Sequence, residues 1–243
     1  MPEFIVPDWP APPNVGALST TRQGGCGSGP YDSFNLATHV GDSADVVAAN
    51  RHSLRAHVPG APLWLCQVHG TRCVDLATAD AGVAADAGLA RAAGYACAVL
   101  TADCLPVLLC DDQGSVVAAA HAGWRGLEAG VIETTVAAMG VPAARIMAWL
   151  GPAIGPAAFE VGDEVRTAFL RADDGAAQAF VAHGADKWLC DLYALARLRL
   201  ARLGVERVSG GGFCTHGERE RFFSYRRDGD TGRMASLVWL NSD

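Results

Sequence analysis

The chain has 243 residues, half of them hydrophobic and 19% charged, with a formal net charge of −7. That length suits one large domain or two small ones, and the apolar fraction is ample for a core. The acidic balance excludes a general nucleic-acid binder, whose footprint is a basic patch.

The opening MPEFIVPDWPAPP lacks a basic segment and is interrupted by prolines, so it does not read as a secretory signal. The most apolar stretch, Tyr95–Cys110, contains Asp103 and Pro106 and is too short to span a bilayer. Eight cysteines, at 26, 66, 73, 97, 104, 110, 190 and 214, include no CxxC pair. They read as reduced thiols, most of them small buried apolar residues, and a cytoplasmic location is expected.

Residues 14–22 read as an early strand ending at Arg22, followed by the Gly-rich loop GGCGSGPYDS. FNLATHVGD (34–42) is a polar loop carrying Asn35, His39 and Asp42. Ser43–His57 reads as a helix with Val46, Val47 and Leu54 inward, ended by Pro59-Gly60. Leu63–Val68 reads as a buried strand stopping at His69-Gly70, with Arg72–Leu76 its hairpin partner. Ala77–Gly94 is low in complexity and reads as a surface return.

Two apolar runs, Leu105–Cys110 and Ser115–Ala120, flank Asp111-Asp112-Gln113-Gly114 and form a β-hairpin pattern. If Cys110 lies opposite Ser115, then Cys104 falls opposite His121. Directly opposed side chains lie about 4.5–5.5 Å apart, so a thiol and an imidazole meet at the open end of the hairpin. From Trp124 to Met139, apolar Leu127, Val131, Ile132, Val136 and Met139 follow helical spacing. Arg145–Leu150 is a strand, Val161–Leu170 a helix, and Asp191 caps a helix running to Leu203. Two last strands are predicted near Phe222–Tyr225 and Ala235–Leu240. Hairpins interleaved with single helices give a mixed α+β (α/β) sheet in one domain, residues 1–243.

Three strand ends carry a soft or borderline ligand: His69 in QVHG, Cys104 in TADC and His121 in HAGWRG. Two imidazoles and a thiolate form a catalytic zinc set with a fourth position left for water. The same trio suits copper.

The motifs TTRQGG, NLATHVGD, QVHG, TADCLPVLL, HAGWRG, LGPAIGP, FEVG and FFSYRRDGDTGRMA follow one another in that order, from Val15 to Leu240. They resemble the YfiH-like family, long labelled laccase-domain or multicopper polyphenol oxidoreductase proteins and later described as purine nucleoside phosphorylases. The resemblance implies a single α/β domain layered helix–sheet–sheet–helix, with a metal on His69, Cys104 and His121. Members often carry Cys after GPSIGP, where this chain has Ala157-Ala158, which puts an extra thiol near the pocket in doubt.

Three chemistries remain open on the sequence. The first is zinc-assisted phosphorolysis of adenosine, inosine or methylthioadenosine, with adenosine deamination. Its partners are a nucleoside and phosphate, and Asn35 and Arg125 are candidate substrate-binding residues. Arg125 opens the helix that starts near Trp124, and Arg22, Arg226 and Arg227 are further phosphate candidates. No His is followed two places on by Glu, so the zinc-deaminase HxE motif is absent. Asp103 is the nearest acid, although it points away from Cys104 and suits a structural hydrogen bond. The second chemistry is copper-dependent polyphenol oxidation, against which stands the lack of any HxH pair among seven His. The third is a Cys104–His121 hydrolase, including editing of peptidoglycan precursors. The oligomeric state is left open.

Overall fold

The computed structural model describes residues 1–242. In chain order its first elements are β1 (Phe4–Ile5), β2 (Val15–Thr20), α1 (Ala44–Arg55), β3 (Cys73–Asp75) and β4 (Ala87–Ala90). The middle of the chain forms β5 (Ala96–Thr101), β6 (Leu105–Asp111), β7 (Val117–Ala122), α2 (Trp124–Ala129), α3 (Val131–Met139) and β8 (Ile146–Leu150). It continues as β9 (Glu160–Gly162), α4 (Asp163–Ala172), β10 (Phe180–Ala182) and β11 (Lys187–Cys190). The last elements are α5 (Leu192–Arg202), β12 (Arg207–Gly210), α6 (Tyr225–Asp228) and β13 (Met234–Leu240).

The strands form a six-stranded sheet in the order β12-β8-β6-β7-β4-β3, a four-stranded sheet β1-β2-β13-β5, and a small sheet β10-β11-β9. Leu108, Cys110, Val117 and Ala119 of the β6–β7 hairpin pack against Val99 and Val238 of the four-stranded sheet. Their neighbours Val107, Leu109, Ala118 and Ala120 face Leu127, Ile132 and Leu195 of the helices. Both faces are therefore buried, which is why the two strands read as unbroken apolar runs. Leu54 of α1 covers the outer face of the four-stranded sheet beside Leu18 and Leu237. The layers are helix–sheet–sheet–helix, as the family resemblance implied. No described helix is long and apolar enough to cross a membrane.

Several elements differ from the sequence reading. In the hairpin, Pro106 pairs with His121 and Cys110 with Val117, so the register is two residues away from the expected one. The reason is Asp111, whose buried carboxylate accepts the N–H groups of Ser115 (2.6 Å) and Val116 (3.0 Å) and the Ser115 hydroxyl (2.8 Å). Those bonds draw Ser115 into the turn. A shift of two keeps every side chain on its face, so Cys104 and His121 become diagonal neighbours instead of opposed ones.

Leu63–Val68 is not a buried strand; Val68 is exposed, and only isolated bridges, Leu63 to Cys97 and Cys66 to Ala84, form there. The Gln67 side-chain amide bonds both the N–H (2.7 Å) and the C=O (2.8 Å) of Leu100, taking the place of a strand on that part of β5. β3, within the expected partner Arg72–Leu76, pairs instead in parallel with β4. β4 itself lies inside the stretch expected on the surface and is wholly buried. Its Ala and Gly residues are small because helix and sheet approach closely there. The long helix from Trp124 is broken at Gly130, which adopts φ 101°. Phe222 and Phe223 are buried outside any strand, and Ser224 caps the single helical turn of α6 by accepting the Arg227 N–H.

Candidate active site

The three expected ligands converge. The donor atoms of His69, Cys104 and His121 all lie within 4.8 Å of one another, and Cys104 Sγ is 3.8 Å from His69 Nε2. The two imidazole rings stand edge to face at 4.8 Å between centroids. Cys104 lies just before β6, His121 lies near the end of β7, and His69 comes from the preceding loop. Gly123 makes room for them, because a Cβ there would lie 2.9 Å from Cys104 Sγ and 3.0 Å from His69 Cδ2.

Asp86, absent from the sequence reading, holds the arrangement. Fully buried, it accepts the N–H groups of Val68 (3.1 Å), His69 (2.9 Å) and Gly70 (2.7 Å). It also accepts the Nδ1–H of His121 at 2.8 Å, and its own carbonyl accepts the His121 backbone N–H at 2.7 Å. The bond to Nδ1 fixes the tautomer and leaves Nε2 facing Cys104 and His69. Three consecutive N–H groups closing on one carboxylate hold His69 in a left-handed backbone conformation, φ 59°. Such a conformation costs a non-glycine residue about 1–3 kcal/mol, which these bonds offset. Burial opposes the ionisation of Asp86. The hydrogen bonds from His121, Gly70 and Val68 outweigh it and hold the carboxyl below its usual range.

Burial likewise opposes a Cys104 thiolate, yet the charge and hydrogen bond of His121, followed by those of His69, bring the thiol down to about 6. Against its own burial, His121 is raised to about 9 by Cys104 and Asp86. Both shifts favour a thiolate on Cys104 beside an imidazolium on His121. The donor set suits zinc: tetrahedral bonds of about 2.3 Å to sulfur and about 2.0 Å to nitrogen separate S and N ligands by about 3.5 Å, close to the 3.8 Å between Cys104 Sγ and His69 Nε2.

The trio faces a cavity of about 510 Å³ with an apolar wall of Trp124, Ile154, Phe159 and Leu192. Arg125, Arg226 and Arg233 also line it. The exposed Arg125 stacks on the Trp124 ring at 4.5 Å and forms no ion pair among the described residues. Arg226 reaches the Glu160 carbonyl at 2.7 Å.

Asn35 does not line the cavity. Its amide is saturated by Ala37, Asp42 and the Arg233 N–H, so it braces the cavity wall from behind. Arg22 lies in a separate depression of about 380 Å³ with Asp32, Glu220 and Asp228. Arg227 is spent on the carbonyls of Thr215, His216 and Phe222 and on Asp228. Asp103 does line the cavity, but its oxygens accept the Thr215 hydroxyl (2.6 Å) and the Arg226 N–H (2.7 Å), the structural use its position suggested.

The fold and a His–Cys–His group able to hold a metal mark the class of protein to which the chain belongs. The family model for multi-copper polyphenol oxidoreductase laccase matches residues 16–241, and the chain belongs to that family, the one to which the YfiH proteins also belong. Purine nucleoside phosphorylase YfiH of Escherichia coli is 55% identical over 99% of this chain and 100% of its own length. A purine nucleoside phosphorylase of Pseudomonas aeruginosa is 52% identical over 99% of each. Among solved structures, a Neisseria meningitidis protein matches at a TM-score of 0.96 with 55% identity, covering 98% of this chain and 99% of its own. YlmD of Geobacillus stearothermophilus matches at 0.85 with 28% identity, covering 95% and 93%. The chain is an enzyme, and its candidate metal centre is His69, Cys104 and His121.

Proposed function

We propose that the chain is a zinc-dependent purine nucleoside phosphorylase working in the cytoplasm as one domain, with slower adenosine deaminase activity at the same site. The observation that carries this reading is the convergence of two imidazoles and a thiolate on an apolar cavity also lined by arginines. The names of the full-length relatives support it.

The apolar wall of Trp124 and Phe159 suits a purine ring, and the guanidinium groups suit a phosphate dianion. In phosphorolysis a phosphate oxygen bonds to C1′ of the ribose as the C1′–N9 bond breaks. The electron pair leaves with the purine, which takes up a proton to become adenine, and ribose 1-phosphate remains. Deamination exchanges the C6 amino group for water oxygen and releases ammonia. Zinc, when held by His69, Cys104 and His121, supplies a Lewis acid able to bring the pKa of a water toward 7. Asp86 fixes the His121 Nε2 toward that position. Inosine and methylthioadenosine are further substrates of the same cavity. Adenine release measured with and without phosphate tests the reading, and release indifferent to phosphate refutes it.

A second reading draws on the lowered Cys104 thiol beside an Asp86-oriented His121, the order of groups in a cysteine hydrolase. It includes peptidoglycan-precursor editing. Copper in the same trio is compatible with the donors, but multicopper oxidation needs a second cluster. Among the described residues, His69, Cys104 and His121 form the one candidate group.

A further inference from the structure

The phosphorolysis reading requires an oxyanion site, and the cavity contains a guanidinium better prepared for one than the exposed Arg125. Arg233 lines the cavity at the start of the β13 approach. Its backbone is clamped, the N–H donating to Asn35 Oδ1 (3.0 Å) and the C=O accepting from Leu36 (3.3 Å). Its Nη1 donates to the carbonyls of Thr231 (2.6 Å) and Gly232 (3.0 Å). Nε and Nη2 have no partner among the described residues. Those two nitrogens form the edge of a guanidinium that grips an oxyanion with two parallel hydrogen bonds.

Among the described residues, no carboxylate forms an ion pair with this side chain. The one acid lining the cavity, Asp103, has both oxygens engaged elsewhere. A partly buried charge without a counter-ion is costly. Arg227 shows the ordinary solution, a shielded guanidinium answered by Asp228 and backbone carbonyls. Burial works against the charge of Arg233, offset in part by Cys104, Asp103, Tyr225 and Asp230, and the side chain lines the same cavity as His69, Cys104 and His121.

We propose that Arg233, through its free Nε–Nη2 edge, receives a phosphate group in the cavity, with Arg125 serving only the outer rim. This rests on the reading of the site as a phosphorylase. A phosphate dianion reaches such an edge either as inorganic phosphate or as the monoester of a nucleotide, and the two are separable by experiment.

Titration calorimetry of the metal-loaded protein with inorganic phosphate, and separately with adenosine 5′-monophosphate, tests the proposal in wild type, Arg233→Gln, Arg233→Lys and Arg125→Ala. Losing a charge-assisted bidentate contact is expected to weaken phosphate binding about 10-fold or more in Arg233→Gln. Arg233→Lys keeps the charge but not the fork, guards against misfolding, and should recover part of the loss. Arg125→Ala should change binding by less than about 3-fold, as expected of a screened rim charge. A loss confined to inorganic phosphate identifies a free co-substrate, and a loss confined to the monoester identifies the phosphate of a bound nucleotide. Absence of binding by the wild type, or unchanged affinity for both ligands in both Arg233 variants, overturns the proposal. Because binding is read without turnover, Arg233-dependent phosphate affinity in a protein that releases no adenine would refute the phosphorylase reading alone. Turnover with an unchanged KM for phosphate in Arg233→Gln would refute this assignment alone.

Discussion

Replacing Asp86 by Asn tests whether one carboxylate holds both imidazole ligands. The wild-type group accepts four hydrogen bonds, from the N–H groups of Val68, His69 and Gly70 and from His121 Nδ1. An amide of the same shape has one oxygen, and its NH₂ must face N–H donors whichever way it is turned. Turned to keep His121, it confronts Val68 and Gly70; turned to keep those two, it confronts His69 and His121. Two charge-assisted bonds are lost in either case. At about 1.5–3 kcal/mol each, the native state should be destabilised by roughly 3–6 kcal/mol. Zinc affinity should fall about 10–100-fold, the usual effect of removing a carboxylate behind a ligating His. Competition against a calibrated chelator and a thermal melt of the metal-free protein measure the two effects separately. The pH dependence carries a sign. The Asp86 carboxyl is held below its unfolded value, so its contribution is complete above that unfolded value and is lost as pH falls through the folded one. The acid limb of the wild-type stability curve should therefore flatten in Asp86→Asn. Wild-type zinc affinity together with an unchanged melting temperature would refute the reasoning.

Two further outcomes are expected at the same centre. Purified protein should hold about one zinc per chain. His121→Ala should lose most of it by elemental analysis, and full retention removes His121 from the site. In metal-free protein, alkylation of Cys104 should rise with an apparent pKa of about 6, not the ordinary thiol value near 9, and zinc should suppress it at every pH. Zinc-independent alkylation accompanied by full activity after chelation would favour the cysteine-hydrolase reading.

The ligand trio was legible because each member closes or follows a short apolar run, where a polar residue at a strand end has few structural reasons to be soft and nucleophilic. The hairpin geometry that first joined Cys104 to His121 was off by two residues, since the turn pattern did not reveal that Asp111 would bind Ser115. Even so, the period of two kept both side chains on one face. Asp86 was hidden inside an Ala/Gly-rich stretch that looked like surface. The one available signal was DAGLA, an acid leading into small residues able to pack as a buried strand. In the sequence, Arg233 is one residue of the FFSYRRDGDTGRMA motif. Its role depends on which guanidinium nitrogens are already bonded, and that is decided by tertiary folding of the 231–233 segment against Asn35. Asn35 is polar in a polar loop, a pattern that suggests substrate contact, whereas burial commits its whole amide to Ala37, Asp42 and the Arg233 N–H.

The most direct measurement of the central claim is product analysis with adenosine under four conditions, zinc-loaded or chelated enzyme with or without phosphate. Adenine and ribose 1-phosphate are expected only from zinc-loaded enzyme with phosphate, and should return when zinc is added back to the chelated protein. Equal adenine release without phosphate, or undiminished release after complete removal of the metal, would contradict it.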